Sequence, residues 1–201
     1  ALSTRNTVMA RLVFVLIEGF ADWEYGLLAA LARESFSAEV VYATPGRRAV
    51  TSIGGLVVSP DLGLEAIEVD EFDALVVIGS EGWQRSDIRA PVVRLAVLAH
   101  AGGRVVAGIC GGTLVLAEAG LFETRPHTSN RLAFLETHVP AYRGGATYVD
   151  RSRAVSADRV VSAAGTAPAT FACEVARLLW PERGGEIDGF AGMVAAEHRG
   201  D

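Results

Sequence analysis

The chain alternates between short, continuous runs of apolar residues and longer stretches in which apolar residues recur every three or four positions. The first pattern is typical of strands buried on both faces of a parallel sheet, and the second of helices packed against it. The strand-like runs are residues 11–17, 38–43, 72–78, a run ending at Val106, and 160–163. The helix-like stretches are residues 23–34, 88–101, 114–119, 131–138, 169–180 and 186–198. This alternation predicts an α/β fold with a mostly parallel sheet covered on both faces.

Several shorter features complete the predicted fold. Residues 50–60 form a predicted hairpin in which Gly54-Gly55 supplies the turn, and residues 147–150 and 154–156 are predicted short strands. We expect Asp22 to cap the first helix and Pro91 to lie in the first turn of the second.

Length and composition exclude several classes of protein. With 201 residues, half of them hydrophobic, we expect one domain over residues 1–201 with residues 1–9 as a loose leader. A net charge of −6 without a basic cluster argues against nucleic acid as a partner. The longest early apolar run is too short to cross a bilayer. Two cysteines do not make a disulfide framework, so we expect a cytoplasmic protein without a membrane partner.

The chemistry of the chain is concentrated around Cys110. The pattern G-x-C-x-G, from Gly108 to Gly112, follows a strand and precedes a helix, which is the layout of a nucleophile elbow. Such a turn holds the nucleophile in a strained backbone conformation and places its thiol over a helix N-terminus, where a thiolate is favoured. The other cysteine, Cys173, lies in an ordinary amphipathic helix and is predicted to fill the core.

A nucleophilic thiol needs a proton partner. Glu24, one turn into the first helix, and Glu18, in the preceding loop, are both placed to supply a carboxylate, and position alone does not separate them. His127, in a polar loop seventeen residues after Cys110, is the candidate base. No spacing typical of metal ligands occurs, so we expect no metal and no cofactor.

A carbonyl substrate also needs donors for its developing oxyanion. The loop Gly79-Ser80-Glu81-Gly82 follows a strand, and its amides are candidate donors together with the amide of Gly111.

Four segments resemble one known family. They are Gly-Phe-Ala-Asp-Trp-Glu at 19–24, Gly-Ser-Glu-Gly at 79–82, Ala-Gly-Ile-Cys-Gly-Gly at 107–112 and Gly-Thr-Ala-Pro at 165–168. Together they resemble the DJ-1/PfpI family of the class I glutamine amidotransferase-like superfamily. The tract His-Thr-Ser-Asn at 127–130 is similar to a YdeA-like bacterial subgroup.

The resemblance implies a flavodoxin-like three-layer α/β/α sandwich, usually a homodimer. It implies a reactive Cys110 with Glu24, rather than Glu18, as its carboxylate partner. The implied function is a cysteine-dependent hydrolase, amidase or glyoxalase-type enzyme acting on a small carbonyl or amide substrate. The alternative is a redox-sensing or chaperone-like stress protein in which Cys110 is oxidised without efficient turnover.

The chain departs from the family pattern at three positions. Asn130 stands where many members place a histidine, so either His127 or Asn130 faces the thiol. Gly111 follows the cysteine where peptidase-type members have a histidine, which argues against protease activity. Glu81 adds a carboxylate beside the predicted oxyanion donors, among which we also place Asn130 as a substrate-binding residue.

Overall fold

A computed structural model describes residues 9–198 and confirms the predicted alternation of strands and helices. The strands are β1 (Arg11–Val15), β2 (Glu39–Thr44), β3 (Val50–Thr51), β4 (Val57–Val58), β5 (Leu62–Gly63), β6 (Ala74–Val77), β7 (Val105–Ile109), β8 (Val155–Ala157) and β9 (Val160–Ala163). The helices are α1 (Asp22–Phe36), α2 (Ser86–Ala101), α3 (Thr113–Glu118), α4 (Leu132–His138), α5 (Pro168–Leu179) and α6 (Gly184–Ala195).

Seven strands form one sheet in the order β5-β2-β1-β6-β7-β9-β8. All neighbouring pairs are parallel except β8 with β9, which are joined by a tight turn. The predicted hairpin is the antiparallel pair β3–β4 and lies outside this sheet. Parallel neighbours need a crossover connection, and helices supply it between β1 and β2, between β6 and β7, and between β7 and β9. The crossover from β2 to β5 contains the β3–β4 hairpin instead.

Both faces of the sheet are buried, as the continuous apolar runs predict. Along β1 and the residue after it, Leu12, Phe14 and Leu16 belong to a core shared with α1 and α5. Val13 and Val15, which point the other way, belong to a second core shared with α2 and α3. The sheet therefore lies between two helical layers.

Three local predictions are wrong. Residues 147–150 form no strand, because the backbone turns through a 3₁₀ segment at Gly145–Thr147 and Tyr148 makes only an isolated bridge. Helix α2 begins two residues earlier than predicted, so Pro91 lies in its second turn. Asp22 does not cap α1; its carboxylate accepts a hydrogen bond from the Gly54 amide at 2.8 Å and fixes the β3–β4 turn.

The fold brings the carboxyl-terminal ends of four strands together on one side of the sheet. Neighbouring strands β1, β6, β7 and β9 are parallel, so the segments that follow them emerge on the same side. These segments carry Glu24, Gly79, Cys110 and Gly165 respectively. These four residues are far apart in the sequence, but they lie close together because their strands are neighbours in the sheet.

A buried arginine ties the helices on one face of the sheet to the side on which these strands end. The Arg89 guanidinium is 2% exposed and pairs with the Glu118 carboxylate. It also donates to the carbonyls of Trp83 at 2.6 Å and His138 at 3.0 Å. It thus joins α2 to α3, to the turn at Glu81–Gln84 and to the end of α4.

Replacing Arg89 by Met should lower the free energy of unfolding by about 3 kcal/mol, because one buried partner of an ion pair is lost and two carbonyls lose their donors. Chemical denaturation measures the change. Arg85→Met is the matched control, since Arg85 forms an exposed pair with Asp87 and its loss should change stability little. Equal destabilisation by both substitutions would contradict the prediction.

Candidate active site

The elbow geometry explains the glycines around the cysteine. Cys110 has a φ of 55°, in the left-handed region that a non-glycine residue adopts only at a cost. A Cβ on Gly111 would collide with the Ser80 carbonyl, and one on Gly112 with the Val77 carbonyl. The turn therefore packs directly against the end of β6, which only glycines permit at these two positions.

Glu24 lies beneath the thiol and is fully buried. One carboxyl oxygen, Oε2, accepts a hydrogen bond from the Gly79 amide at 2.7 Å. The other oxygen, Oε1, is buried and has no hydrogen-bond partner other than what the thiol can offer. Burial raises the pKa of the Glu24 carboxyl to about 7, so this group is able to hold a proton near neutral pH.

The competing carboxylate, Glu18, points elsewhere. Its side chain is exposed and accepts a hydrogen bond from the Thr51 amide at 3.0 Å. The structure therefore brings Glu24, and not Glu18, to Cys110.

The thiol and the carboxyl act as one titrating pair. Burial, and then the neighbouring Glu24 charge, raise the pKa of the Cys110 thiol to about 11. The helix N-terminus predicted to favour a thiolate does not offset these two effects. Two negative charges this close repel each other, so the second ionisation of the pair occurs at a much higher pH than the first. At pH values between the two ionisations the pair holds one proton, and either Glu24 or Cys110 carries the single charge.

Asn130, not His127, contacts the thiol. The Asn130 side-chain amide donates to Cys110 Sγ at 3.2 Å, and its oxygen accepts from the Gly165 amide at 3.0 Å. Both this donor and the Gly111 amide lower the thiol pKa, so they favour the thiolate. Asn130 therefore orients the sulfur without serving as a proton acceptor.

His127 is buried away from the thiol. Its Nδ1 lies 2.8 Å from the Arg125 carbonyl and its Nε2 lies 2.6 Å from the Tyr142 hydroxyl. Its ring stacks on Phe122 at 4.2 Å, and burial lowers its pKa. Both ring nitrogens are thus engaged, and the structure does not place the predicted base at Cys110.

The loop at 79–82 is arranged differently from its prediction. The Gly79 amide is bound to Glu24, and the Gly82 amide donates to Ser80 Oγ at 3.1 Å. Ser80 Oγ in turn donates to the Glu18 carbonyl at 2.7 Å. The amides of Gly79 and Gly82 are therefore engaged within the protein and are not arranged as the predicted oxyanion donors.

Gly165 is a part of the site that the residue patterns alone did not single out. Its carbonyl accepts a hydrogen bond from the Trp23 indole at 2.9 Å, and its amide binds Asn130. A Cβ at this position would lie 2.9 Å from Glu24 Oε1 and 3.1 Å from Cys110 Sγ. The signal in the sequence was the Gly-Thr-Ala-Pro segment directly after a predicted strand.

These groups form the floor of an open cleft of about 380 Å³. Trp23, Ile53 and Phe134 line its walls, and Glu81 and Arg131 lie at its rim. Cys173, predicted to fill the core, is buried in α5 among apolar residues.

Two further observations concern residues 9–198. No group of three or more histidine, cysteine or carboxylate side chains in this range is arranged to bind a metal ion. None of its helices combines the length and the apolar character needed to cross a membrane.

Comparison with known proteins gives one consistent result. A model of the DJ-1/PfpI family matches residues 10–178. The crystal structure of the DJ-1 superfamily protein Atu0886 from Agrobacterium tumefaciens is 42% identical in sequence, with a TM-score of 0.86 over 95% of this chain and 100% of that chain.

Two curated relatives carry functional names. YoaZ of Bacillus subtilis, named an uncharacterized protease, is 34% identical over 166 residues, which are 79% of this chain and 78% of that protein. Deglycase PfpI of Pyrococcus furiosus is 30% identical over 124 residues, which are 62% of this chain and 72% of that protein.

Proposed function

The chain belongs to the DJ-1/PfpI family, and we propose that it is a cysteine-dependent enzyme that converts small α-oxoaldehydes into 2-hydroxy acids. The observation that carries the proposal is the buried pair of Glu24 and Cys110, with Asn130 on the sulfur and His127 engaged elsewhere. A thiol and a carboxyl that share one proton suffice to add sulfur to an aldehyde and to move protons between adjacent carbons.

The first step uses the form of the pair in which Glu24 holds the proton and Cys110 is a thiolate. Cys110 Sγ forms a bond to the aldehyde carbon, and the carbonyl π electrons move to oxygen. That oxygen takes the proton from Glu24, which becomes a carboxylate. The amides of Ser80 and Gly111 are the proposed donors to the developing oxyanion. The product is a hemithioacetal.

In the second step the Glu24 carboxylate removes the proton from the hemithioacetal carbon and returns it to the adjacent, former ketone carbon. The hydroxyl proton moves to the former ketone oxygen, so the product is an isomeric thioester and Glu24 is again a carboxylate. Water then attacks the thioester carbon, the bond to sulfur breaks, and the sulfur takes a proton. The 2-hydroxy acid leaves and releases one proton to solvent, so the pair regains its single shared proton.

The same geometry disfavours peptide hydrolysis. Cysteine peptidases of the Cys-His type use a histidine beside the thiol to protonate the leaving amine. Gly111 follows Cys110, and His127 contacts Tyr142 instead of the thiol. The relative named a deglycase supports an enzyme acting on a small carbonyl compound more than the relative named a protease supports a peptidase.

Cys110→Ala should abolish the conversion of methylglyoxal to lactate, because the thiol is the attacking group and the Ser80 hydroxyl, which also lines the cleft, donates to the Glu18 carbonyl. The assay follows both the loss of aldehyde and the formation of lactate. Cys173→Ala is the matched control and should keep turnover, since Cys173 is buried in α5 outside the cleft floor. Absence of turnover in the wild type, or equal turnover in Cys110→Ala, would refute the proposed function.

The redox alternative has one specific observation in its favour. Donors from Asn130, Gly111 and a protonated Glu24 surround the sulfur and would equally bind the oxygens of a sulfinate. Treatment with hydrogen peroxide followed by mass spectrometry measures this, with Cys173 as internal reference. Addition of two oxygens at Cys110 alone, without aldehyde turnover, selects the redox role.

The predicted homodimer and cytoplasmic location stay predictions.

A further inference from the structure

Three apolar side chains line the cleft above the thiol: Trp23, Ile53 and Phe134. We call them the apolar lip. Trp23 is 53% exposed and Ile53 is 61% exposed, although large apolar side chains are usually buried. The lip is continuous with the cavity that contains Cys110, so whatever covers it also lies over the reactive sulfur.

The lip is held in place by hydrogen bonds at Trp23 and Ile53 and by ring packing at Phe134. The Trp23 indole N–H donates to the Gly165 carbonyl at 2.9 Å. The Ile53 amide donates to the Phe20 carbonyl at 2.9 Å, and the Asp22 carboxylate fixes the next residue of the turn. The Phe134 ring packs against His138 with a centroid distance of 5.1 Å. An apolar surface fixed before a ligand arrives loses little conformational entropy on binding.

The charges of the cleft disfavour an anionic substituent. The floor carries the negative charge shared by Glu24 and Cys110. Glu81 and Arg131 also line the cleft and carry opposite charges, so together they add no net positive charge that would attract an anion. A neutral group is therefore the best match to the walls.

We infer that the cleft selects neutral α-oxoaldehydes with an apolar substituent of about the size of a phenyl ring, bound against Trp23, Ile53 and Phe134. This inference rests on the proposed function for the identity of the reacting group. The selectivity itself rests on the lip, and it is measurable without turnover.

The test compares the alkylation of Cys110 by N-phenyliodoacetamide and by iodoacetamide, each rate divided by that of N-acetylcysteine. Mass spectrometry assigns the label to Cys110. Wild type should prefer the phenyl reagent by about tenfold, the effect of partly burying one ring. Ile53→Ala and Phe134→Ala should each reduce this ratio several-fold, because each removes part of the surface that the ring contacts.

Val57→Ala is the matched control. Val57 lies in the same hairpin as Ile53 and is 65% exposed, but it does not line the cleft. The ratio in this variant should equal that of wild type. A ratio near one in wild type, or a ratio unchanged in Ile53→Ala and Phe134→Ala, would overturn the inference.

The competing explanation is that a second copy of the chain covers the lip. Sedimentation velocity tests this explanation, because it measures self-association. If Ile53→Ala and Val57→Ala both weaken self-association and leave the reagent ratio unchanged, the lip is a subunit contact and the inference is wrong. A second measurement compares kcat/KM for three aldehydes. We expect kcat/KM to decrease in the order phenylglyoxal, methylglyoxal, glyoxylate. If the protein converts no aldehyde but keeps its alkylation preference, the proposed function is refuted and the selectivity of the cleft is supported.

Discussion

Replacing Glu24 by Gln should lower α-oxoaldehyde turnover by about 10²–10⁴-fold, the usual contribution of a general acid and base. The amide has the size of the carboxyl, and its oxygen is able to keep the hydrogen bond from Gly79. Its N–H₂ group still faces the sulfur, but it neither gives up nor accepts a proton. Cys110 should therefore remain open to alkylation while both proton transfers of the proposed reaction are lost.

Glu18→Gln is the matched control for this prediction. Glu18 lies in the loop before α1 and its carboxylate binds the Thr51 amide, outside the cleft. Its substitution should leave kcat/KM close to the wild-type value. A Glu24→Gln enzyme with wild-type turnover would show that Glu24 transfers no proton and would remove the proposed mechanism.

The same substitution should stabilise the fold in a pH-dependent manner. Burial raises the pKa of the Glu24 carboxyl from 4.5 to about 7, so the folded state binds more protons than the unfolded state between these values. Wild-type stability therefore falls as pH rises through this window, and Gln carries no such penalty. Glu24→Gln should gain about 3 kcal/mol at pH 8 and nothing at pH 4. Urea denaturation at the two pH values measures the difference.

Gly165→Ala should reduce turnover by about a hundredfold, the cost of misplacing reacting groups by roughly an ångström. The new Cβ would lie 2.9 Å from Glu24 Oε1 and 3.1 Å from Cys110 Sγ. Either Glu24 moves from the Gly79 amide, or the loop moves and breaks the hydrogen bonds to Asn130 and Trp23. The distance between acid and nucleophile changes in both cases.

The control is Gly26→Ala, in α1, where a Cβ meets no atom within 4 Å. Alanine favours a helix over glycine by about 1 kcal/mol, so this variant should be more stable and equally active. Kinetics and thermal unfolding of the two variants, measured side by side, distinguish a steric effect at the site from a general effect of losing a glycine. Full activity in Gly165→Ala would mean that the cleft floor tolerates displacement.

The layout of the fold could be predicted from local patterns. A strand buried on both faces must be apolar at every position, so 11–17 and 72–78 identify two central strands, although β6 itself is limited to Ala74–Val77. The elbow could be predicted for a similar reason, since its close approach to β6 needs glycine at 111 and 112. The prediction of a strand at residues 147–150 was wrong, because alternation over four positions does not distinguish a strand from a loop that is hydrogen-bonded to a neighbouring segment.

The partners of the thiol depend on contacts between distant segments. The residue patterns left Glu18 and Glu24 equal, and only the packing of α1 against the sheet directs Glu24 under Cys110 while Glu18 binds the hairpin. His127 and Asn130 lie three residues apart, and the His127 ring stacks on Phe122 while the Asn130 side-chain amide donates to the sulfur.

The sequence by itself therefore determined the sheet, its helical layers and the position of the nucleophile, because each follows from periodicity or from steric limits within a few residues. The family resemblance already implied Glu24, which the residue patterns alone had not separated from Glu18. Only the tertiary structure decided that Asn130, and not His127, contacts the sulfur, and that Gly165 closes the floor. These depend on the side-chain directions of segments that meet at four neighbouring strand ends, and no local pattern encodes that meeting.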